Sequence, residues 1–252
     1  MRSFLILFFI FCNVFIQPTH AQTNVRDSVI NAPMISATYA YQLAGGDMLK
    51  RFGNNNAIGV NFLLKTKKNL ILGADWNFIF GHSIKEDALM QNLYNSEGFI
   101  QNKEGSADKL RINERGWFSH LSVGYLVSVL APNKNSGFFA TVGGGVLSHK
   151  IKIEDVGKKT AQLNKEFLPG YDRLTFGPST KEFVGYLFLD NRRLINVFAG
   201  VEFIQAWTKS LRGYNYDTQQ YDTQLRHDYL TGFRVGMIIP LYKRVPRDYY
   251  YN

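Results

Sequence analysis

The chain has 252 residues, with 29 Lys and Arg against 20 Asp and Glu, a net charge of +9, and a single cysteine. That cysteine, Cys12, lies in an apolar run over residues 4–16 that follows Arg2 and precedes Thr19, His20 and Ala21, the pattern of a secretory signal peptide over 1–21 cut after Ala21. The mature chain then keeps no thiol, which excludes a disulfide scaffold, a thiolate metal site and a cysteine nucleophile. Export also removes nucleic acid as the partner that a basic chain would otherwise suggest. The run is too short for a membrane helix, which needs roughly 20 residues.

After an N-terminal segment over 22–32, helical periodicity is scarce and a period of two takes over, the mark of strands with unlike faces. Strands are expected at 33–44 and 56–66. In the second, Ile58, Val60, Phe62 and Leu64 share one face, opposite Gly59, Asn61 and Lys65. The third, 69–81, contains GADWNFIFG, where Leu72, Ala74, Trp76, Phe78 and Phe80 oppose Gly73, Asp75 and Asn77. Further alternation predicts strands at 114–130, 137–153, 180–189, 194–208 and 225–242. One face is greasy and the other small or polar.

The connections alternate in length. Those around 65–69, 131–137 and 190–193 are tight, and those over 45–55, 82–113, 154–179 and 209–224 are longer. Tight turns therefore gather at one end and long loops at the other, as in membrane barrels whose strands need roughly 9–11 tilted residues to cross. A soluble sandwich would need large apolar residues on its inner face, whereas here the second face carries Gly, Ser, Asn and isolated charges. The expectation is an all-β, eight-stranded antiparallel up-and-down transmembrane β-barrel over 33–242, with short periplasmic turns, long extracellular loops and a periplasmic tail over 243–252. Trp117, Phe138, Trp207, Tyr229 and Tyr242 sit near strand ends, where interfacial girdles form.

With this layout the chain resembles the small eight-stranded outer-membrane barrels, the class of the OmpA barrel domain and OmpX. In GYDRLTFG, RLINVFAGVEFIQAW and GMIIPLYKRVPRDYYYN it is more closely similar to a group of Bacteroidota outer-membrane barrels. The last strand, RVGMIIPL, resembles the sorting signal of such barrels, although it lacks a terminal phenylalanine and runs on into a tail. The resemblance implies the cell outer membrane as location and outer-membrane lipid as surroundings. It also implies a non-enzymatic structural or accessory role, such as part of a secretion or assembly machine with other envelope proteins as partners. Transport through the lumen and lipid modification are the alternative roles.

Candidate site residues follow from the strand phases. Asp75, Asn77, His120, Glu182, Glu202 and Arg234, with Asn61, Ser122 and Asn196, are expected in the lumen, where charges must pair. Glu202 and Arg234 on adjacent strands are the expected pair, with Asp75 a candidate to share Arg234. The triplet HLS puts His120 and Ser122 on one face, similar to the pair used by outer-membrane lipid A deacylases, but the phase points inward, away from lipid. His82, His120, His149 and His227 lack metal-ligand spacing, so neither metal nor cofactor is implied. A capping box from Ser83 to Glu86 predicts a loop helix over 84–94. Tyr216–Thr218 and Tyr221–Thr223 repeat Tyr-Asp-Thr in the last loop. Lys65, Lys67, Lys68, Lys134, Arg192, Arg193, Lys243, Arg244 and Arg247 form an expected basic periplasmic rim, suited to anionic headgroups.

Overall fold

Eight long strands close on themselves in the computed structural model, which describes residues 28–241 except 87, 88, 102, 108, 109, 156–159, 161, 162, 165 and 192–194. The signal peptide, the tail, Tyr242, Arg192, Arg193, Lys243, Arg244 and Arg247 lie outside the described residues. The elements are β1 (Ala32–Gly46), α1 (Met48–Arg51), β2 (Asn55–Lys65), β3 (Leu70–Gly81), β4 (Leu110–Val127), β5 (Gly137–Asp155), β6 (Thr175–Leu189), β7 (Asn196–Ser210), a small hairpin β8 (Tyr214–Asn215) and β9 (Gln220–Tyr221), and β10 (Arg226–Pro240). The barrel order is β1-β10-β7-β6-β5-β4-β3-β2, each neighbour antiparallel. Pairing of β1 with β10, from Met34↔Pro240 to Gly46↔Asp228, closes it. No edge strand is left to be satisfied, which is what a bilayer demands of a sheet.

The outward phase is apolar on every wall. Tyr39, Val60, Trp76, Val123, Val142, Val184, Val201 and Phe233 are all exposed, and lipid is the solvent that such a belt needs. Aromatic pairs mark its rims: Trp117 with Phe176 at 6.2 Å between ring centroids near the extracellular side, and Phe138 with Tyr186 at 5.2 Å near the periplasmic side. The β4–β5 ladder runs on to Leu110↔Asp155, so this hairpin stands above the belt and carries the large loops.

The sixth strand begins earlier than the alternation suggests, at Thr175, because Gly177 and Pro178 look like a break. Proline cannot donate to a ladder. Pairing of β6 with β7 accordingly lapses between Phe176↔Lys209 and Ser179↔Ala206, then resumes in the same register.

Two further expectations need correction. The inner face is not small and polar throughout. Met34, Leu63, Ile71, Leu126, Phe139, Phe183, Leu187, Phe198 and Ile238 fill the periplasmic half as one apolar cluster. A second cluster, with Phe52, Ile79, Phe118, Leu147, Met90 and Ile204, fills the upper half and continues into the loops. Inward glycines make room for these large groups. A Cβ at Gly200 would collide with the Phe183 ring, and one at Gly236 would collide with the Phe198 ring. Nor does the predicted loop helix form over its length. Ile84 instead bridges Phe52, Met90 adopts φ of 58°, and among the described residues of this span only Gln91–Leu93 coil, as a 3-10 turn. The capping box loses because Ile84 gains more by joining the apolar cluster than by starting a helix.

Candidate functional site

Between the two apolar clusters lies one layer of charge. Arg234 on β10 donates through Nε to Glu202 Oε2 at 2.6 Å and through Nη2 to Glu202 Oε1 at 3.1 Å, a bidentate pair with β7. Its remaining nitrogen, Nη1, donates to Asn77 Oδ1 at 2.7 Å and to Thr38 Oγ1 at 3.1 Å. Gln42 on β1 donates to Glu202 Oε1 at 2.7 Å. Glu202 and Arg234 meet diagonally because Gly232 and Gly200 stand opposite them in the ladder, leaving the space both side chains occupy.

Asp75 does not share Arg234 directly. Its Oδ2 accepts from Lys181 Nζ at 2.8 Å, and its Oδ1 accepts from Asn77 Nδ2 at 2.7 Å, so Asn77 is the link between the two ion pairs. Lys181 also stands 3.7 Å from Glu202 Oε2. Two cations thus meet two carboxylates, all buried, beneath the face of Phe118, which lies 5.7 Å from Lys181 and 5.6 Å from Arg234. Buried charge is tolerated only when paired and bonded in this way.

Lys181 in this layer displaces a residue assigned to it from the sequence. Glu182 faces outward. Lys181 and Phe183 on either side of it are 6% and 4% exposed, whereas its outer-face neighbours Val142 and Val184 are 54% and 61% exposed. The segment Lys181-Glu182 offers one charge to each phase, so alternation alone cannot choose between them. The inward position went to the cation, which two carboxylates await.

His120 is buried in the same layer, with Nε2 2.9 Å from Ser179 Oγ and Nδ1 3.8 Å from Asp75 Oδ1. The order Ser179, His120, Asp75 imitates a nucleophile, base and acid. The chemistry has no room, however. The adjoining cavity, lined by Asp75, Ser122, Lys181 and Arg234, measures about 20 Å³, enough for one water and not for an acyl group. Ser122 lines it without meeting His120. Higher up, Asp228 and Thr175 both approach the same nitrogen, Nε2, of His149, each at 2.9 Å. A relay needs its acid and its nucleophile on opposite ring nitrogens. Among the described residues no three His, Cys, Asp or Glu gather to hold a metal ion.

The rim residues also divide. Lys67 and Lys68 are exposed on the β2–β3 turn. Lys65 is not a rim residue but is fully buried, its Nζ 3.0 Å from Asn135 Oδ1, where it ties two periplasmic turns together. Asn196, on the inner face, caps a turn by accepting from the Asp190 amide at 3.1 Å. Asn61 lines the central cavity.

At the extracellular mouth, a second set of ions joins the loops. The aspartates of the Tyr-Asp-Thr repeat serve as two clasps. Asp217 accepts from Arg173 Nη2 at 2.7 and 2.8 Å and from the Met90 amide at 3.1 Å. Asp222 accepts from Arg226 Nη2 at 2.6 and 2.7 Å and from Arg51 Nη2 at 3.3 Å. Glu86 completes the group 3.2 Å from Arg51 Nε, so three guanidinium groups face three carboxylates. The repeat is visible in the sequence but its cations are not: Arg226 follows Asp222 by four residues, while Arg51 and Arg173 come from distant segments.

Burial alone would push the Asp222 carboxyl up, but Arg226 and Arg51 hold it below its ordinary value. A carboxylate lowered on folding stabilises above its unfolded pKa and ceases to as pH falls through the folded one. The clasp is therefore expected to hold above about pH 4 and to release below it. Limited proteolysis by pepsin across this range checks this: cleavage within 211–225 should rise on acidification in the wild type. In Asp222→Asn it should already be high at the upper end of the range.

No family model and no curated protein matches the chain. Solved structures do. Ail of Yersinia pestis, in complex with the heparin analogue sucrose octasulfate, is 9% identical with a TM-score of 0.43, covering 83% of this chain and 99% of that one. Neisserial surface protein A is 8% identical, TM-score 0.39, covering 81% and 96%. The N-terminal barrel domain of Pseudomonas aeruginosa OprF is 8% identical, TM-score 0.37, covering 83% and 99%. By its own closed eight-stranded sheet, outward apolar belt and aromatic rims, the chain has the fold of the small eight-stranded membrane β-barrels.

Proposed function

We propose that this protein is a non-conducting, non-enzymatic barrel that acts as a structural or accessory component of the cell envelope, placed beside a larger secretion or assembly machine. The observation that carries the reading is the filled lumen: an apolar cluster below, an ion-paired layer in the middle and a second apolar cluster above. An eight-stranded barrel is only wide enough for its own side chains, and here they occupy it. The clasps tie the described parts of the extracellular loops to one another. Lys67 and Lys68 suit anionic headgroups at the other face.

Planar-bilayer recording tests the reading. The wild-type protein should give no stepwise current, and opening the layer by Arg234→Ala should give none either, because the apolar clusters remain. Steady unitary steps from the wild type would replace this reading with transport through the lumen. The lipid-modifying alternative finds no support in the buried His120, which no lipid can reach through the wall.

A further inference from the structure

Glu182 stands on the outward phase of the wall, within the apolar belt. Phe176 and Phe188, on the same outward phase of β6, lie six residues to either side. At roughly 3.3 Å per residue and a tilt near 40°, the carboxyl is about 15 Å from the upper rim at Phe176 and about 10 Å from the lower one at Tyr186, inside the apolar belt. Its Oε2 has no hydrogen-bond partner, and among the described residues no hydrogen bond or ion pair reaches the side chain. The ladder sets it beside Val142 and Phe203, with Thr180 next to it on the strand, paired with Gly144 and Gln205. Gly144 leaves open space, the floor of a groove of about 470 Å³ lined also by Leu121, Val123 and Val142.

A carboxylate at this depth, with Oε2 buried and unbonded, is costly unless it is protonated or paired, and a basic group brought to the same depth would pair it. Lipid does not supply that group, since inside the apolar belt it offers only acyl chains. A second copy is disfavoured, because a two-fold dimer through this wall would bring two carboxylates together. We propose that the β5–β6 wall docks a membrane-spanning segment of another envelope protein, which brings a Lys, Arg or His to Glu182 and a side chain into the Gly144 groove.

The docked segment rests on the accessory reading and deepens it. The two can fail separately, because a silent bilayer with no Glu182-dependent contact leaves a non-conducting barrel without this partner. The test places a benzophenone amino acid at Val184, beside Glu182, or at Leu72 on another wall, in the full chain within native outer membranes. Ultraviolet light should yield a discrete adduct from Val184 and not from Leu72. The adduct should persist in Glu182→Asp and fall at least tenfold in Glu182→Leu and Glu182→Lys. Its attached peptide should be a membrane-spanning segment bearing a basic residue. An adduct of twice the chain's mass, a lipid adduct alone, no adduct, indifference to Glu182, or a peptide without a basic residue would each overturn the proposal. Purified Glu182→Leu in phospholipid vesicles should keep heat-modifiable mobility and unfold at a higher urea concentration than wild type. A lower concentration would mean that the carboxyl supports the barrel itself, and the docking site would be withdrawn.

Discussion

Arg234→Met is expected to destabilise the barrel by about 3–5 kcal/mol, the usual consequence of leaving a buried charge without its partner. Arg234 is 1% exposed and supplies both bonds to Glu202 together with those to Asn77 and Thr38. Without it Glu202 keeps Gln42, and Lys181 at 3.7 Å. Urea unfolding in phospholipid vesicles, followed by tryptophan fluorescence, measures the change. The decisive comparison is the double variant Arg234→Met with Glu202→Gln, which should recover a large part of the loss because no charge is then stranded. A double variant as unstable as the single one would show that the guanidinium acts through packing rather than through pairing.

Lys181→Met is expected to have the next largest effect, about 3 kcal/mol on the same scale, because Asp75 would retain only the Asn77 amide as a close donor. Asp75→Asn should cost less. Its loss leaves Lys181 near Glu202, whereas the lysine's loss leaves a carboxylate with no cation in contact. Combining Lys181→Met with Asp75→Asn should restore much of the stability. The asymmetry between the single variants distinguishes this arrangement from one in which Asp75 relies on Arg234, where Lys181→Met would be nearly silent.

Legibility in the sequence followed the one-sidedness of each strand. Glu202 and Arg234 could be placed because Val201, Phe203, Phe233 and Val235 leave no doubt about the lipid face. GADWNFIFG was read for the same reason, with Trp76 and Phe78 outward. The phase of β6 was not readable, since Lys181, Phe183 and Leu187 alternate with Glu182, Val184 and Phe188 and each set has one charge among apolar residues. Only closure decides it, by bringing Asp75 and Glu202 to one side. The lower plug was hidden in the same way, because Phe139, Phe183 and Phe198 look like lipid-facing residues until their rings are found 5.0 to 6.1 Å apart inside the wall. Loop contacts such as Arg173 with Asp217 join segments whose approach no local pattern encodes.

The ion-paired layer also bears on the order in which the barrel is completed. Its carboxylates sit on β3 and β7 and its first cation on β6, while Arg234 arrives with β10, the last strand of the chain to be made. A sheet that still lacks β10 holds two negative charges against one positive, with water able to enter at the gap between β7 and β1. Laying β10 between β7 and β1 delivers the missing charge and removes that water in one event. Charge balance inside the wall is therefore reached only by a finished barrel, and a half-assembled one carries a net anionic interior that opposes its burial in lipid.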